Sequence, residues 1–286
     1  MKNPATLFRD LMRTAPFQPA TNLWRAVELD AVQRHGLPGG RGLDLGCGDG
    51  KLTRIVDEVP ARGGGARRWV GVDIDPLETS QAVAGGLYER VHTGSAAAIP
   101  EPDASVDFVF SNSVLEHIGP IDEVLAEAAR LLRPGGHFIL TVPGPGFHRA
   151  LAGPGAGVPA DARAAYLQEI DNRCAHLRYW SVGEWSQHLG RCGLQIQTHF
   201  EYLSPTQTRR WERLSAWTGG LLYRVYGKRE RPIEIQRRLG LRSARPGPLG
   251  WLAALISPLL ALGCRLDAPA SFPGDGACLL IDAVKA

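Results

Sequence analysis

Apolar residues recur along the chain with helical spacing in some stretches and as short unbroken runs in others. Near-helical spacing in residues 20–35 predicts a helix, which Gly36 and Pro38 end. Apolar runs bounded by glycine and proline predict strands at 42–45, 68–73, 88–92, 106–111, 137–142, 194–200 and 277–284. Further helices are expected after residue 50, after Pro76, and at 121–132 and 182–191.

This alternation of strands and helices predicts an α/β fold: a mostly parallel sheet of seven strands with helices on both faces. Two glycine-rich stretches, 62–66 and 143–160, are predicted as loops. About 75 residues separate the last two strands, where a turn would suffice, so a helical insertion is expected there. The predicted organisation is an N-terminal helical segment (1–36), a sheet domain (37–200 with 277–286) and a helical cap (201–276).

Composition narrows the class of protein. The 286 residues are 44% hydrophobic and 21% charged, which is typical of a globular chain with one core or one core and a smaller subdomain. A net charge of +3 does not by itself indicate nucleic-acid binding. Five widely spaced cysteines argue against a zinc site or a disulfide framework, and the first residues lack the apolar run of a secretory signal. A cytoplasmic location is therefore expected.

The strongest chemical signal is the segment 43–50, Leu-Asp-Leu-Gly-Cys-Gly-Asp-Gly, between a predicted strand and a predicted helix. Its three glycines, Gly46, Gly48 and Gly50, let a backbone approach a ligand where a Cβ would collide. Free N–H groups at the start of the helix suit a carboxylate or phosphate. The spacing differs from the GxGxxG of dinucleotide sites. Taken alone, such a turn is also compatible with a purely structural loop.

A second signal follows at the end of the next strand. Asp73 stands 20–30 residues downstream of the glycines, where a carboxylate can bind both hydroxyls of a ribose. A helix-capping role is the alternative for an aspartate here, and Asp75, directly before Pro76, suits that role better. Ile74 would then lie against an adenine ring.

Four ordered motifs together resemble those of class I S-adenosylmethionine (SAM)-dependent methyltransferases, in particular the subgroup with a "VLEH" segment. They are 44–50 (Asp-x-Gly-x-Gly-x-Gly), 71–73 (Gly-Val-Asp), 105–117 (ending Val-Leu-Glu-His) and 131–136 (Leu-Leu-Arg-Pro-Gly-Gly). The similarity covers residues 20–143 well and 177–200 more loosely. It implies a Rossmann-like fold, SAM as cofactor and S-adenosylhomocysteine (SAH) as product.

The resemblance also implies positions for the cofactor. The turn would surround its methionine part, Asp73 would bind the ribose, and Ser95 stands where the family commonly has an aspartate beside the adenine. Ser113 would lie beside the reactive methyl group and the substrate. The residues expected to bind the cofactor are Asp44, Gly46, Cys47, Gly48, Asp73, Ile74, Ser95, Ala96 and Asn112.

Methyl transfer needs an aligned acceptor and, for oxygen or nitrogen, a base that removes a proton. His117 is the first candidate base; the alternative is that it orders the local helix. Some related enzymes bind a metal through Glu-x-x-Glu-His, but here Ser113 replaces the first glutamate, so no metal is expected.

His176 is the second candidate base, and Arg178, Tyr179 and Trp180 beside it are candidate substrate-binding residues. The alternative for this segment is an N-cap at Ser181 with aromatic packing. Both interpretations stay open.

The predicted insertion is basic and then apolar. Residues 207–245 contain 11 Lys/Arg and three Glu, interleaved with aromatic residues, and residues 246–264 contain no charge. The apolar run is too short and proline-rich to span a membrane. A helical cap, contact with an anionic membrane surface and RNA binding remain as alternatives.

The sequence thus predicts a SAM-dependent methyltransferase acting on a small-molecule or lipid-linked acceptor, at oxygen. It would be cytoplasmic, with residues 207–264 able to contact the inner face of the membrane. The alternatives are an RNA or protein methyltransferase, or a non-catalytic membrane- or partner-binding protein with this fold. Nucleic acid is disfavoured because the fourth strand is followed by Ser-Asn-Ser-Val and not by Asn/Asp-Pro-Pro-Tyr/Phe.

Overall fold

The computed structural model describes residues 1–153, 159–227, 232–241, 247–264, 266, 274 and 276–286. The chain divides into two compact units, which are described separately. Unit 1 consists of Met1–Asp30, Pro145–Leu177 and Glu201–Ala277, and unit 2 of Ala31–Gly144, Arg178–Phe200 and Cys278–Ala286.

Unit 2 is built on a seven-stranded sheet in the order β3-β2-β1-β4-β5-β7-β6. The strands are β1 (Pro38–Leu45), β2 (Arg62–Asp73), β3 (Tyr88–Thr93), β4 (Val106–Asn112), β5 (Leu132–Pro143), β6 (Leu194–Tyr202) and β7 (Cys278–Lys285). Strands β1 to β5 pair in parallel, and β7 pairs antiparallel with β5. This confirms the predicted α/β, Rossmann-like, mostly parallel sheet.

Helices lie on both sides of this sheet, and their ends follow local sequence signals. Unit 2 contains the last residues of α2 (Pro19–His35), then α3 (Lys51–Asp57), α4 (Pro76–Gly85), α5 (Ile121–Leu131) and α8 (Val182–Arg191). Asp75 caps α4, and a complete capping box between Ser181 and Glu184 begins α8 at the predicted residue. Buried side chains of α5 and α8, Leu125 and Trp185 among them, pack with those of the strands in one apolar core.

The regular elements among the described residues of unit 1 are helices, apart from the end of β6. Its helices are α1 (Pro4–Thr14), most of α2, α6 (Gly146–Ala150), α7 (Ala160–Cys174), α9 (Pro205–Trp217), α10 (Gly219–Val225), α11 (Pro232–Arg238) and α12 (Pro248–Leu260). The rings of Trp24, Phe147 and Trp211 meet edge to face, with centroids 5.3–5.6 Å apart. The last four helices form the predicted insertion before the last strand.

The structure differs from the sequence predictions in three places. Residues 62–66, predicted as a loop, begin β2: Arg62 pairs with Pro38 and Arg67 with Gly40, and the extra residues form an irregularity between these pairs. Residues 145–177, predicted within the sheet domain, group with unit 1. Helix α6 lies in the predicted loop 143–160, of which 154–158 are outside the described residues, and α7 was not predicted, whereas α1 falls in the predicted N-terminal helical segment 1–36.

Candidate cofactor and active site

The predicted cofactor-binding residues lie at the carboxyl ends of adjacent parallel strands. Asp44 and Asn112 are near the ends of β1 and β4, Asp73 ends β2, and Ser95 follows β3. Strand order reverses between β1 and β4, because β2 and β3 lie on one side of β1 and β4 and β5 on the other. Ligands of open α/β sheets bind at this kind of switch point.

The turn after β1 needs its glycines. Gly46, Gly48 and Gly50 have φ values of 80°, 52° and 75°, in the left-handed region that favours glycine. A Cβ on Gly46 would collide with Val114, and a Cβ on Gly50 would lie 2.7 Å from the Tyr88 ring. For a Cβ on Gly48, the only atom of the described residues within 4 Å is a Glu78 carboxylate oxygen at 4.0 Å, so this side of the turn has room for a ligand.

Asp73 connects the turn to the neighbouring strand ends. Its Oδ2 accepts a hydrogen bond from the Gly48 N–H at 2.9 Å, and its Oδ1 accepts one from the Asp75 N–H at 2.9 Å. The Asp73 carbonyl accepts from the Gly94 N–H at 2.9 Å, which places the start of the 94–96 loop beside it. A carboxylate has about four lone-pair positions, so this half-buried group can accept further hydrogen bonds from sugar hydroxyls.

The side chain of Asp44 connects the strand before the turn to neighbouring elements. Its buried carboxylate accepts hydrogen bonds from the Thr53 hydroxyl at 2.5 Å and the Tyr88 hydroxyl at 2.6 Å, which joins β1 to α3 and β3. Burial raises the pKa of Asp44 to about 6, with the nearby Asp73 charge adding to the shift. Burial likewise raises the pKa of the Cys47 thiol, which is therefore a protonated packing group and no nucleophile.

The residues predicted to lie beside the adenine offer an apolar side chain and a hydroxyl group. Ile74, directly after Asp73, is 77% exposed and offers an apolar surface at the edge of the site. Ser95 is exposed, and its Oγ accepts a hydrogen bond from the Ala97 N–H at 3.2 Å, so its own proton can be donated to a ligand. Ala96 packs against the core.

The end of β4 is held by a residue that the sequence interpretation missed. The Thr141 hydroxyl on β5 donates to Asn112 Oδ1 at 2.9 Å and accepts from the Ser113 N–H at 3.1 Å. Ser113 has a left-handed φ of 52°, which is uncommon for a residue other than glycine and occurs often at functional sites. The available signal was a hydroxyl in the otherwise apolar run 138–142.

His117 lies on a 3₁₀ turn, Leu115–His117, that a distant arginine holds. The Arg178 guanidinium donates hydrogen bonds to the carbonyl oxygens of Leu115, Ile118 and Gly119, the last two at 2.5 and 3.3 Å. Burial lowers the pKa of Arg178, opposed by the charge of Glu116. Arg178, whose predicted substrate binding stays a prediction, thus holds the segment that carries His117.

The remaining predicted substrate residues are placed differently. The Trp180 ring stacks on His188 at 4.0 Å and lies 5.0 Å from Trp185, an arrangement that fits the packing alternative for this residue. Tyr179 is half-buried in unit 2. His176 belongs to unit 1, where its ring lies 5.7 Å from Phe147.

Residues 43–140 match the family model described as "Methyltransferase domain". A Mycolicibacterium smegmatis protein named "Probable S-adenosylmethionine-dependent methyltransferase" is 34% identical over 189 residues, which cover 65% of this chain and 64% of that protein. The 27-O-demethylrifamycin SV methyltransferase of Amycolatopsis mediterranei is 29% identical over 189 residues, 61% of this chain and 62% of the relative. The chain therefore spans less than two thirds of either relative.

Among solved structures, a SAM-dependent methyltransferase from Thermotoga maritima superposes with a TM-score of 0.53. The superposition covers 99% of this chain and 100% of that one, at 16% sequence identity. Similarity at this level of identity establishes a shared fold.

Proposed function

We propose that the chain is a class I SAM-dependent methyltransferase that methylates a small-molecule or lipid-linked acceptor, because residues 43–140 match a methyltransferase-domain model and a 34% identical relative is named as a SAM-dependent methyltransferase. One observation carries this proposal: the glycine turn after β1 is open at Gly48 and is joined by a hydrogen bond to the carboxylate of Asp73 on the next strand. A bare backbone next to a carboxylate suits a ligand with an amino-acid part and a ribose.

The residues present fit this cofactor. Gly46 and Gly48 allow the methionine part to approach the backbone, since a Cβ at Gly48 would point into the open side of the turn. Asp73 would accept hydrogen bonds from the ribose hydroxyls. Ile74 would contact the adenine, and the Ser95 hydroxyl would bind it. When bound, SAM supplies the methyl group and a sulfonium leaving group.

The protein's own chemistry is then positioning and proton removal. Asn112 and Ser113, fixed by Thr141, lie at the strand end where the methyl group is expected. The half-exposed His117 imidazole is the first candidate base, and Arg178 fixes the turn that presents it. His176 of unit 1 is the second candidate.

The acceptor is proposed to be bulky, apolar and methylated at oxygen. Residues 207–264 are rich in aromatic and aliphatic side chains, which favours such a molecule. The relative from Amycolatopsis mediterranei is named for a demethyl-oxygen position of rifamycin SV, which supports the same reaction class. A lipid-linked acceptor would be met at the inner face of a membrane, through residues 207–264.

Isothermal titration calorimetry of the full chain with SAH, SAM and NAD tests the cofactor. We expect binding of SAH and SAM and no heat from NAD, because the glycine spacing does not match a dinucleotide site. Absence of binding by both SAH and SAM would refute the proposal.

Transfer of a labelled methyl group from SAM into fractionated cell extract then identifies the acceptor. Loss of this transfer in His117→Ala or His176→Ala, with SAH affinity retained, identifies the base.

A further inference from the structure

The apolar helix α12 carries its large side chains outward. Its buried residues are small: Gly250, Ala253, Ala254 and Ser257. At Gly250 a Cβ would collide with the Arg13 carbonyl oxygen, so α12 and α1 pack backbone to backbone. The exposed residues are Leu249, Trp251, Leu252, Leu255, Ile256 and Leu259, with Leu262 just beyond the helix.

This distribution is the reverse of that in a helix facing water. Leu252, Leu255, Ile256 and Leu259 are spaced three and four residues apart, so they form one continuous face of the helix. Leu255 and Leu259 are 77% and 67% exposed. Soluble monomeric proteins rarely leave a contiguous face of this kind uncovered, and such faces mark contact with a partner or a membrane.

Positive charge borders both ends of this apolar face. The Arg13 guanidinium lies 3.8 Å from the centroid of the Trp251 ring. At the other end, Arg210 donates to the carbonyl oxygens of Leu259 and Leu260 at 2.9 and 2.6 Å. Helix α1 exposes Arg9 one turn before Arg13, and its single acidic residue, Asp10, pairs with Lys2 at 3.3 Å. Helix α12 itself contains no charged residue.

We propose that α12 docks flat on an anionic lipid surface, with its leucine face inserted among the acyl chains. Trp251 would lie at the interface, where an amphipathic ring is stabilised, and Arg13 and Arg210 would contact anionic headgroups. A second copy of the chain is a poorer occupant, because pairing two α12 faces would bring these arginines together without acidic partners on the helix.

Insertion is parallel to the membrane plane. A helix of 13 residues is about 20 Å long, shorter than the roughly 30 Å of a bilayer core. In the described part of the chain, no helix combines the length and hydropathy needed to cross a membrane. The docking proposal rests on the proposed function only in that a docked enzyme would meet a lipid-linked acceptor. Docking itself is measured without any methyl transfer.

Flotation of the full chain with vesicles tests this docking surface. We expect binding to vesicles that contain phosphatidylglycerol, weaker binding to pure phosphatidylcholine vesicles, and release as salt screens the arginines. Leu255→Glu should lower the partition coefficient onto anionic vesicles more than about tenfold, because it places a charge in the apolar layer. Val83→Glu is the matched control, since Val83 is a 63% exposed aliphatic residue on α4 of unit 2, and it should float like the wild type.

The outcomes separate this proposal from the proposed function. Equal flotation of Leu255→Glu and the wild type would overturn the docking proposal, as would a wild type that floats with neither vesicle. A wild-type dimer that Leu255→Glu converts to a monomer, measured by light scattering without vesicle binding, would assign the face to a second copy and also overturn it. SAH titration of the same samples shows whether the variant is folded. A wild type that floats with anionic vesicles but does not bind SAH would refute only the proposed cofactor.

Discussion

Two aspartates separated by a single residue differ in their expected effect on cofactor affinity. Asp73 accepts from the Gly48 N–H in the turn, whereas Asp75 accepts from the Leu77 N–H and caps α4. Asp73→Ala removes both the proposed ribose contact and the anchor of Gly48. We expect it to weaken SAH binding by about 1–3 kcal/mol in calorimetry. Asp75→Asn preserves a side-chain cap and should leave the affinity nearly unchanged. Equal losses in both variants would contradict the ribose role of Asp73.

Asp44 should make stability depend on pH in an unusual direction. Burial raises the folded-state pKa of Asp44 to about 6, above the usual value for an aspartate, so between these two values the folded protein holds a proton that the unfolded chain has released. The stability contribution is therefore greatest at low pH and falls as pH rises from about 4 to about 6, by on the order of 3 kcal/mol.

Asp44→Asn imitates the protonated form and can still accept from Tyr88 and Thr53. We expect the variant to gain stability relative to the wild type as pH rises through this window, measured by urea unfolding at pH 4 and pH 7. Parallel pH profiles for the two proteins would show that the Asp44 carboxyl titrates normally.

At the scale of elements, the sequence predicts well what local chemistry decides. Helix α8 spans the predicted residues 182–191, and a capping box between Ser181 and Glu184 marks its start. Helix α4 begins at Pro76, after its Asp75 cap. The start of β2 was missed, since residues 62–66 resemble a turn and only the pairing of Arg62 with Pro38 on β1 makes them part of a strand.

In the candidate site, too, the sequence predicts local motifs but not contacts between distant segments. The glycine turn and Asp73 are contiguous motifs and were predicted, and the structure joins them through one hydrogen bond. The contact of Arg178 with Leu115 joins residues 63 positions apart, and Thr141 reaches Asn112 from the neighbouring strand. Such contacts depend on strand order and packing, which a single sequence does not specify position by position.

Two glycine variants separate the structural role of the turn after β1 from its proposed role in ligand binding. Gly46→Ala places a methyl group against Val114 at a left-handed φ, so we expect loss of thermal stability along with SAH affinity. Gly48→Ala has space for the methyl group and pays only the backbone strain, about 1–2 kcal/mol. Gly48→Ala should therefore keep most of the stability and lose affinity, because its methyl group occupies the ligand side. Thermal melts and SAH titration of both variants check this. A Gly48→Ala protein with unchanged affinity would place the ligand elsewhere.

At the scale of the whole chain, one buried carboxylate in unit 2 joins segments that are far apart in sequence. Asp282 on β7 accepts from His35 at the end of α2 and from Arg62 on β2, both at 3.0 Å, and contacts His137 on β5 at 2.8 Å. Burial opposes ionisation, but the hydrogen bonds from His35 and His137 and the Arg62 contact hold the pKa of Asp282 below its usual value. The last strand is thereby bound to three elements formed much earlier in the chain.

Asp282→Asn should destabilise the sheet as a whole, because it leaves the Arg62 guanidinium facing a neutral amide among two histidines. We expect a loss of roughly 3 kcal/mol in urea unfolding at pH 7. A depressed folded-state pKa stabilises only above the unfolded value, so the difference from the wild type should shrink as pH falls below about 4. Asp103→Asn is the control, since Asp103 pairs with Arg130 at an exposed site and such pairs contribute at most about 1 kcal/mol. If the two variants lose equal stability, the Asp282 cluster does not hold β7 in place, and the antiparallel pairing of β7 with β5 is sufficient to close the sheet.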